Sequence, residues 1–234
     1  LKILHYILHI MHEKNPLKGS SFKSSENPKK LAFLLHGYGD NSENFIPLAQ
    51  YLSDSKTSIN FFAPNAPSSI PQYPLGRQWF DLYPNGINFN EAGQKEKEIL
   101  KQDCLLSLNL IKDYIDDLCS KYKLSYQDCF IIGFSQGAMM AFELGKHINQ
   151  IFAGCVLLSG RILPTKKYKK IPFIKTPIMI LHGDQDTVLD PKYFKEACNI
   201  LKNNDFIFES HLMKGEAHTI SPKILQIVKN FIKK

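Results

Sequence analysis

The chain has 234 residues, enough for one sizeable core and short for two domains. Hydrophobic residues make up 44% and charged residues 22%, the balance of a soluble globular protein. The formal charge of +7 rests on scattered lysines, with Arg77 and Arg161 the only arginines; without clustered arginine forks and aromatic platforms it reads as a solvated surface and argues against a nucleic-acid reader. Weak attraction to anionic membranes or substrates stays open.

The chain opens on LKILHYILHIMHEK. This apolar run is broken by His5, His9 and His12, is too short to span a bilayer, and lacks the small-residue cleavage site of a signal peptide. His5 and His9 would share a helix face, but with no carboxylate partner they read as helix decoration rather than a metal site. Residues 1–20 are expected to be an N-terminal extension and 21–234 a single domain.

From residue 31, apolar runs alternate with amphipathic stretches. LAFLL (31–35) and INFFA (59–63) read as buried strands, with a helix over 43–53 between them. Residues 64–94 are Pro-rich and irregular, with Tyr73, Trp79, Phe80, Tyr83 and Phe89. Loops of this length are often lids or binding walls. A long helix follows over 95–121, with Ile99, Leu106, Leu110, Tyr114 and Leu118 approximating one face. Further strands are predicted at 129–133, 155–159, 177–183 and 206–213, and helices at 136–147, 191–202 and 222–232; residues 161–176 read as a basic loop. Uninterrupted apolar strands separated by helices predict an α/β fold with a mostly parallel sheet covered on both faces. Ligands of such sheets sit at the carboxyl ends of the strands. HGYGD, GFSQG, HGDQD and GEAH all follow predicted strands.

The five cysteines, Cys104, Cys119, Cys129, Cys155 and Cys198, are odd in number and show no CxxC spacing. They read as reduced, mostly buried thiols of a cytoplasmic protein, not as a disulfide framework or a zinc site.

GFSQG (133–137) carries the chemistry. A G-x-S-x-G turn between strand and helix is a nucleophile elbow, so tight that side chains two positions before and after the serine would collide with their surroundings. Gly133 and Gly137 remove those side chains and leave Ser135 exposed at the strand tip. A serine hydroxyl needs a base, and this fold orders its triad as serine, acid, histidine. His218, after the last strand, is assigned as the base. Asp184, Asp186 and Asp190 are the available acids; Asp186 is chosen, with Asp184 expected to cap its turn and Asp190 a helix. The other histidines read as structural: His36 shaping its loop, His147 at a helix end, His182 in a turn, His211 in a strand. An oxyanion needs two donors. The backbone N–H groups of Gln136 and Tyr38 are the candidates.

LLHGYGDN, FFAPNAP, GRQWFD, GFSQGAMMA, HGDQDTV and GEAHTI stand in the order found in the phospholipase/carboxylesterase family, which the chain resembles over about residues 30–232. That resemblance implies an α/β-hydrolase fold without a large cap domain and places nucleophile, acid and base at Ser135, Asp186 and His218, with oxyanion donors at Tyr38 and Gln136. Here GEAHTI has Ala217 where a second glycine often stands. The resemblance also puts Trp79 near the site's rim, against its plain reading as a core aromatic. The 64–94 loop, with Met139 or Ile162, is expected to build the acyl pocket. The expected activity is hydrolysis of carboxylic esters or thioesters through an acyl-enzyme, with no metal or organic cofactor. Substrates in scope are short acyl esters, lysophospholipids and S-acylated proteins. A homodimer is compatible with the sequence, and stable membrane insertion is not expected. The competing reading is a non-catalytic binding protein that keeps the hydrolase fold.

Overall fold

The computed structural model describes residues 17–54, 57–89, 91–163 and 171–234. The expectations for residues 1–16, including the histidine-interrupted run, fall outside these. So does part of the 161–176 loop.

Seven strands form one sheet in the order β1-β3-β2-β6-β7-β8-β9. They are β1 (Gly19–Phe22), β2 (Lys30–Leu35), β3 (Ile59–Pro64), β6 (Cys129–Phe134), β7 (Gly154–Leu158), β8 (Ile178–Gly183) and β9 (Phe208–Met213). All neighbours run parallel except β1, which pairs antiparallel with β3. Two more strands, β4 (Ser68–Ile70) and β5 (Tyr73–Gln78), form a separate hairpin. The helices are α1 (Ser42–Phe45), α2 (Leu48–Leu52), α3 (Gln94–Tyr122), α4 (Gln136–Ile148), α5 (Lys192–Asn203) and α6 (Pro222–Ile232). No helix among the described residues is long and apolar enough to cross a membrane.

The apolar runs explain the sheet. In β2, Leu31, Phe33 and Leu35 enter one core while Ala32 and Leu34 enter the other. In β6 and β8 the same alternation sends Ile131, Ile178 and Ile180 one way and Ile132, Met179 and Leu181 the other. Side chains with a period of two must be apolar on both faces when helices cover both. Residues of α3, α4 and α5 close the first face and those of α1, α2 and α6 the second. Each fully buried Leu, Ile or Phe contributes about 1.5–3 kcal/mol.

Several local expectations are corrected. The helix over 43–53 is two short helices, because Pro47 cannot continue a helical ladder begun before it. Two features were not foreseen. β1 is short and polar, and takes Gly19 and Ser20 into the sheet on the far side of the expected boundary at 20. The stretch 64–94 is not irregular throughout, since it contains the β4–β5 hairpin. In α3 the fully buried seam is Leu108, Ile111, Ile115 and Cys119; Leu106, Leu110, Tyr114 and Leu118 flank it, half-buried.

Candidate active site

The tips of β2, β6 and β8 and the loop after β9 meet above the sheet. At the tip of β6, Ser135 has φ 53° and ψ −117°, a backbone that non-glycine residues rarely adopt. Such a conformation costs about 1–3 kcal/mol and persists where its surroundings hold it. Here the Ser135 N–H donates to Leu158 O at 2.8 Å, and Ser135 O accepts from Ala138 N–H at 3.0 Å and Met139 N–H at 3.2 Å. The flanking glycines are sterically required. A Cβ on Gly133 would stand 2.6 Å from Ala138 N, and one on Gly137 would stand 2.6 Å from His36 O, with other backbone atoms nearer still.

His218 lies between Ser135 and Asp186. Its Nε2 is 3.0 Å from Ser135 Oγ and its Nδ1 is 2.7 Å from Asp186 Oδ2. One tautomer serves both bonds: Nδ1–H donates to the carboxylate, and Nε2 accepts the serine proton. The Phe134 ring packs 4.8 Å from the imidazole, centre to centre. Asp186 is buried, at 4% exposure. Its Oδ1 accepts from Val188 N–H at 2.9 Å and Leu189 N–H at 2.8 Å. A second imidazole reaches the same carboxylate: His182 Nε2 lies 3.3 Å from Oδ2.

The acid loop and the histidine loop are joined by backbone. Gln185 N–H donates to Glu216 O at 2.9 Å, and Asp184 Oδ1 accepts from Gly215 N–H at 2.7 Å. Asp184 is therefore a turn cap, as expected. Asp190 Oδ1 accepts from Lys192 N–H, the start of α5, as an N-terminal cap should. A Cβ on Gly183 would stand 2.5 Å from Ala217 O, so glycine lets the two loops approach.

Among the described residues, neither the Tyr38 nor the Gln136 backbone N–H has an acceptor. Gln136 opens α4, where first-turn N–H groups have no partner within the helix. The Tyr38 loop is held from three sides. Gly39 N–H donates to Arg77 O at 3.0 Å, and Arg77 N–H donates to Asp40 O at 2.9 Å. His36 gives its Nδ1–H to Gly37 O at 2.7 Å and accepts Ala66 N–H on Nε2 at 3.1 Å. Burial pushes the His36 imidazole below its ordinary range, which suits this one-proton arrangement. Finally, Trp79 Nε1–H donates to His36 O at 2.9 Å.

This last bond corrects the rim placement of Trp79. The indole is 1% exposed and sits beneath the loop, 5.2 Å from the His36 ring. Arg77, Trp79 and Phe80 of the GRQWF stretch are all bonded to neighbouring segments. The Arg77 guanidinium donates to Ala66 O and Pro67 O, while the Gln136 carboxamide accepts Trp79 N–H at 2.9 Å and donates to Phe80 O at 2.8 Å. Met139 and Ile162 are buried at 4% and 6% in the core that also holds Trp79 and Phe80. The other histidines take the structural places expected: His147 pairs with Asn109 and His211 is half-buried in β9. His182 is the exception, because its contact with Asp186 exceeds a turn role. The spacing of four residues between His182 and Asp186 was the available signal, but whether the loop folds back is not written in a spacing.

A family model described as phospholipase/carboxylesterase matches residues 21–234. The chain belongs to this family. It is 30% identical to acyl-protein thioesterase 1 of Candida albicans over 231 residues, covering 93% of this chain and 94% of that protein. The same-named protein of Saccharomyces cerevisiae is 29% identical, with 88% and 92% covered. Among solved structures, esterase PE8 superposes with a TM-score of 0.81 at 27% identity, covering 93% of this chain and 98% of that one. Family and superposition agree with the α/β-hydrolase architecture described above.

Proposed function

We propose that this chain is a serine hydrolase that cleaves carboxylic esters or thioesters, with Ser135 as nucleophile, His218 as base and Asp186 as the acid that orients it. One observation carries the reading: a single His218 tautomer faces Ser135 Oγ at 3.0 Å and Asp186 Oδ2 at 2.7 Å.

In this mechanism Ser135 Oγ attacks the acyl carbon while His218 Nε2 takes its proton. The carbonyl oxygen becomes an oxyanion that accepts hydrogen bonds from the Tyr38 and Gln136 N–H groups. His218 returns the proton to the leaving alcohol or thiol, and the acyl group stays on Ser135 as an ester. Water then gives a proton to His218 and its oxygen to the acyl carbon. Collapse releases the carboxylic acid and restores the Ser135 hydroxyl. Asp186 keeps His218 in the tautomer that accepts from serine and faces the imidazolium formed at each step.

The named activity of the two fungal relatives favours a thioester, including an S-acylated protein, as the substrate class. We further propose that Met139 and Ile162 bound the acyl pocket from below, that residues 21–234 form one catalytic domain, and that the enzyme works in the cytoplasm. The non-catalytic reading is disfavoured because its sequence mark, a lost triad member, is missing here.

The test pairs a fluorophosphonate probe with p-nitrophenyl esters of graded chain length and an S-acylated peptide. Labelling and turnover that disappear in Ser135→Ala are expected. A folded wild type that neither labels nor turns over would overturn the proposal. The acyl-pocket assignment fails separately if Met139→Ala leaves the chain-length profile unchanged.

A further inference from the structure

His182 is the penultimate residue of β8 and is fully buried. Its Nε2 lies 2.9 Å from Leu189 O and 3.3 Å from Asp186 Oδ2. Both oxygens accept, so Nε2 carries the proton. Nδ1 is buried and has no partner among the described residues, so it keeps its lone pair. The side chain is a one-proton donor aimed at the loop that carries the acid.

We propose that His182 is a positioning residue for catalysis: its Nε2–H, shared between Asp186 Oδ2 and Leu189 O, holds the carboxylate oxygen where His218 Nδ1 meets it. This rests on the hydrolase reading. The two oxygens of Asp186 are secured differently. Oδ1 is tied by the Val188 and Leu189 N–H groups of its own loop. Oδ2, the oxygen that faces His218, has His182 Nε2 as its other neighbour, at 3.3 Å. The same Nε2–H reaches Leu189 O and so closes the 186–189 segment onto the strand end, although Val188 within it is 69% exposed. Without His182 the segment keeps its internal turn and the Asp186 N–H bond to Gly183 O at 3.4 Å, but loses its side-chain tie to β8.

The neighbouring groups leave this role to His182. Asp184 is engaged with Gly215 N–H, and Glu216 accepts from Ser221 Oγ–H. From α5 the aromatic ring of Phe194 packs at 6.3 Å. Ser135 meets His218 on the opposite side from Asp186. A histidine that merely filled space here would need neither a defined tautomer nor a donor at Nε2.

The experiment uses the full chain and compares His182→Gln with His182→Asn. Glutamine reaches the Nε2 position with an amide donor; asparagine ends near the Nδ1 position and leaves Asp186 Oδ2 without its second donor. On p-nitrophenyl ester, His182→Asn is expected to lose about ten- to a hundredfold in kcat, the scale of a slightly misplaced catalytic group. KM should stay within about twofold, because substrate binding is untouched. His182→Gln should recover most of kcat. Folded variants with equal kcat, or a loss confined to KM, would overturn the assignment. Nitrogen NMR of the wild type tests the same point without a variant. It should show His182 protonated at Nε2, and an Nδ1–H tautomer would refute the proposal. The hydrolase reading fails by a different result: a wild type that turns over no ester, or one matched by Ser135→Ala.

Discussion

The Gln136 carboxamide and the Trp79 backbone N–H meet at 2.9 Å, and the same carboxamide donates to Phe80 O at 2.8 Å. The first residue of the nucleophile helix thereby grips a segment 57 residues earlier in the chain. That segment supports the Tyr38 loop through Trp79 and Arg77. The two proposed oxyanion donors are thus tied to each other through the side chain of one of them.

Gln136→Leu keeps much of the volume and removes both bonds. It leaves Trp79 N–H and Phe80 O buried without partners, at about 1–3 kcal/mol for each. Denaturant unfolding should register the lost stability. Ester turnover should fall in kcat more than in KM, because the oxyanion site loosens while the acyl pocket stays. A variant as stable and active as wild type would contradict this role.

Gly137→Ala adds one methyl where helix α4 touches the tip of β2 backbone to backbone. Overpacking of this kind costs about 1–3 kcal/mol, and here no flexible side chain can yield. A lower melting temperature together with lost fluorophosphonate labelling is expected. Gly39→Ala is a useful contrast: its Cβ would enter open space, and any loss there would come from its φ of 81°.

Asp186→Asn keeps the shape of the acid but favours the wrong His218 tautomer. The expected fall in kcat is about 10⁴-fold, with the fold intact. Ser135→Ala should lose about 10⁶-fold. Circular dichroism that matches wild type in both variants would assign these losses to chemistry.

His36 carries a pH prediction. Burial lowers its folded-state pKa below the ordinary value of 6.5. The unfolded chain therefore binds the proton first as pH falls, and stability drops with it. The contribution is complete above about pH 6.5 and is lost progressively below it, by up to about 1.4 kcal/mol per pH unit. Melting temperature should fall between pH 7.5 and pH 5, and His36→Gln should flatten that slope. An unchanged slope in the variant would reject His36 as its source.

The sheet and the elbow that carries the proposed nucleophile were legible because each rests on a local signal. The unbroken apolar runs of β2, β6 and β8 announce strands buried on both faces, and Gly133 and Gly137 announce the elbow. What escaped was set by tertiary contact. β1 is polar and short, and its pairing with β3 supplies what its sequence lacks. Tyr73 and Gln78 lie in a stretch whose prolines suggest irregularity, yet they bound a hairpin strand anchored on Asp40 through Arg77. The family resemblance puts Trp79 at the rim and its plain reading puts it in the core; the core reading holds, but its place under His36 depends on how the 64–94 segment doubles back. His182 sits in the motif from which Asp186 is chosen as the acid, while its own proposed donor role needed the position of Leu189 O.

β9 is the last strand of the sheet and has no further strand beside it among the described residues. Its face is only partly covered, with Leu212 44% exposed, and the loop leaving it delivers His218. Edge strands open at lower free energy than the centre of a sheet. The proposed general base is therefore moored to the part of the sheet that frays first, while Ser135 stands on a central strand that frays last. On warming, hydrolysis is expected to fade before the helical signal does, leaving a folded protein whose nucleophile has lost its base.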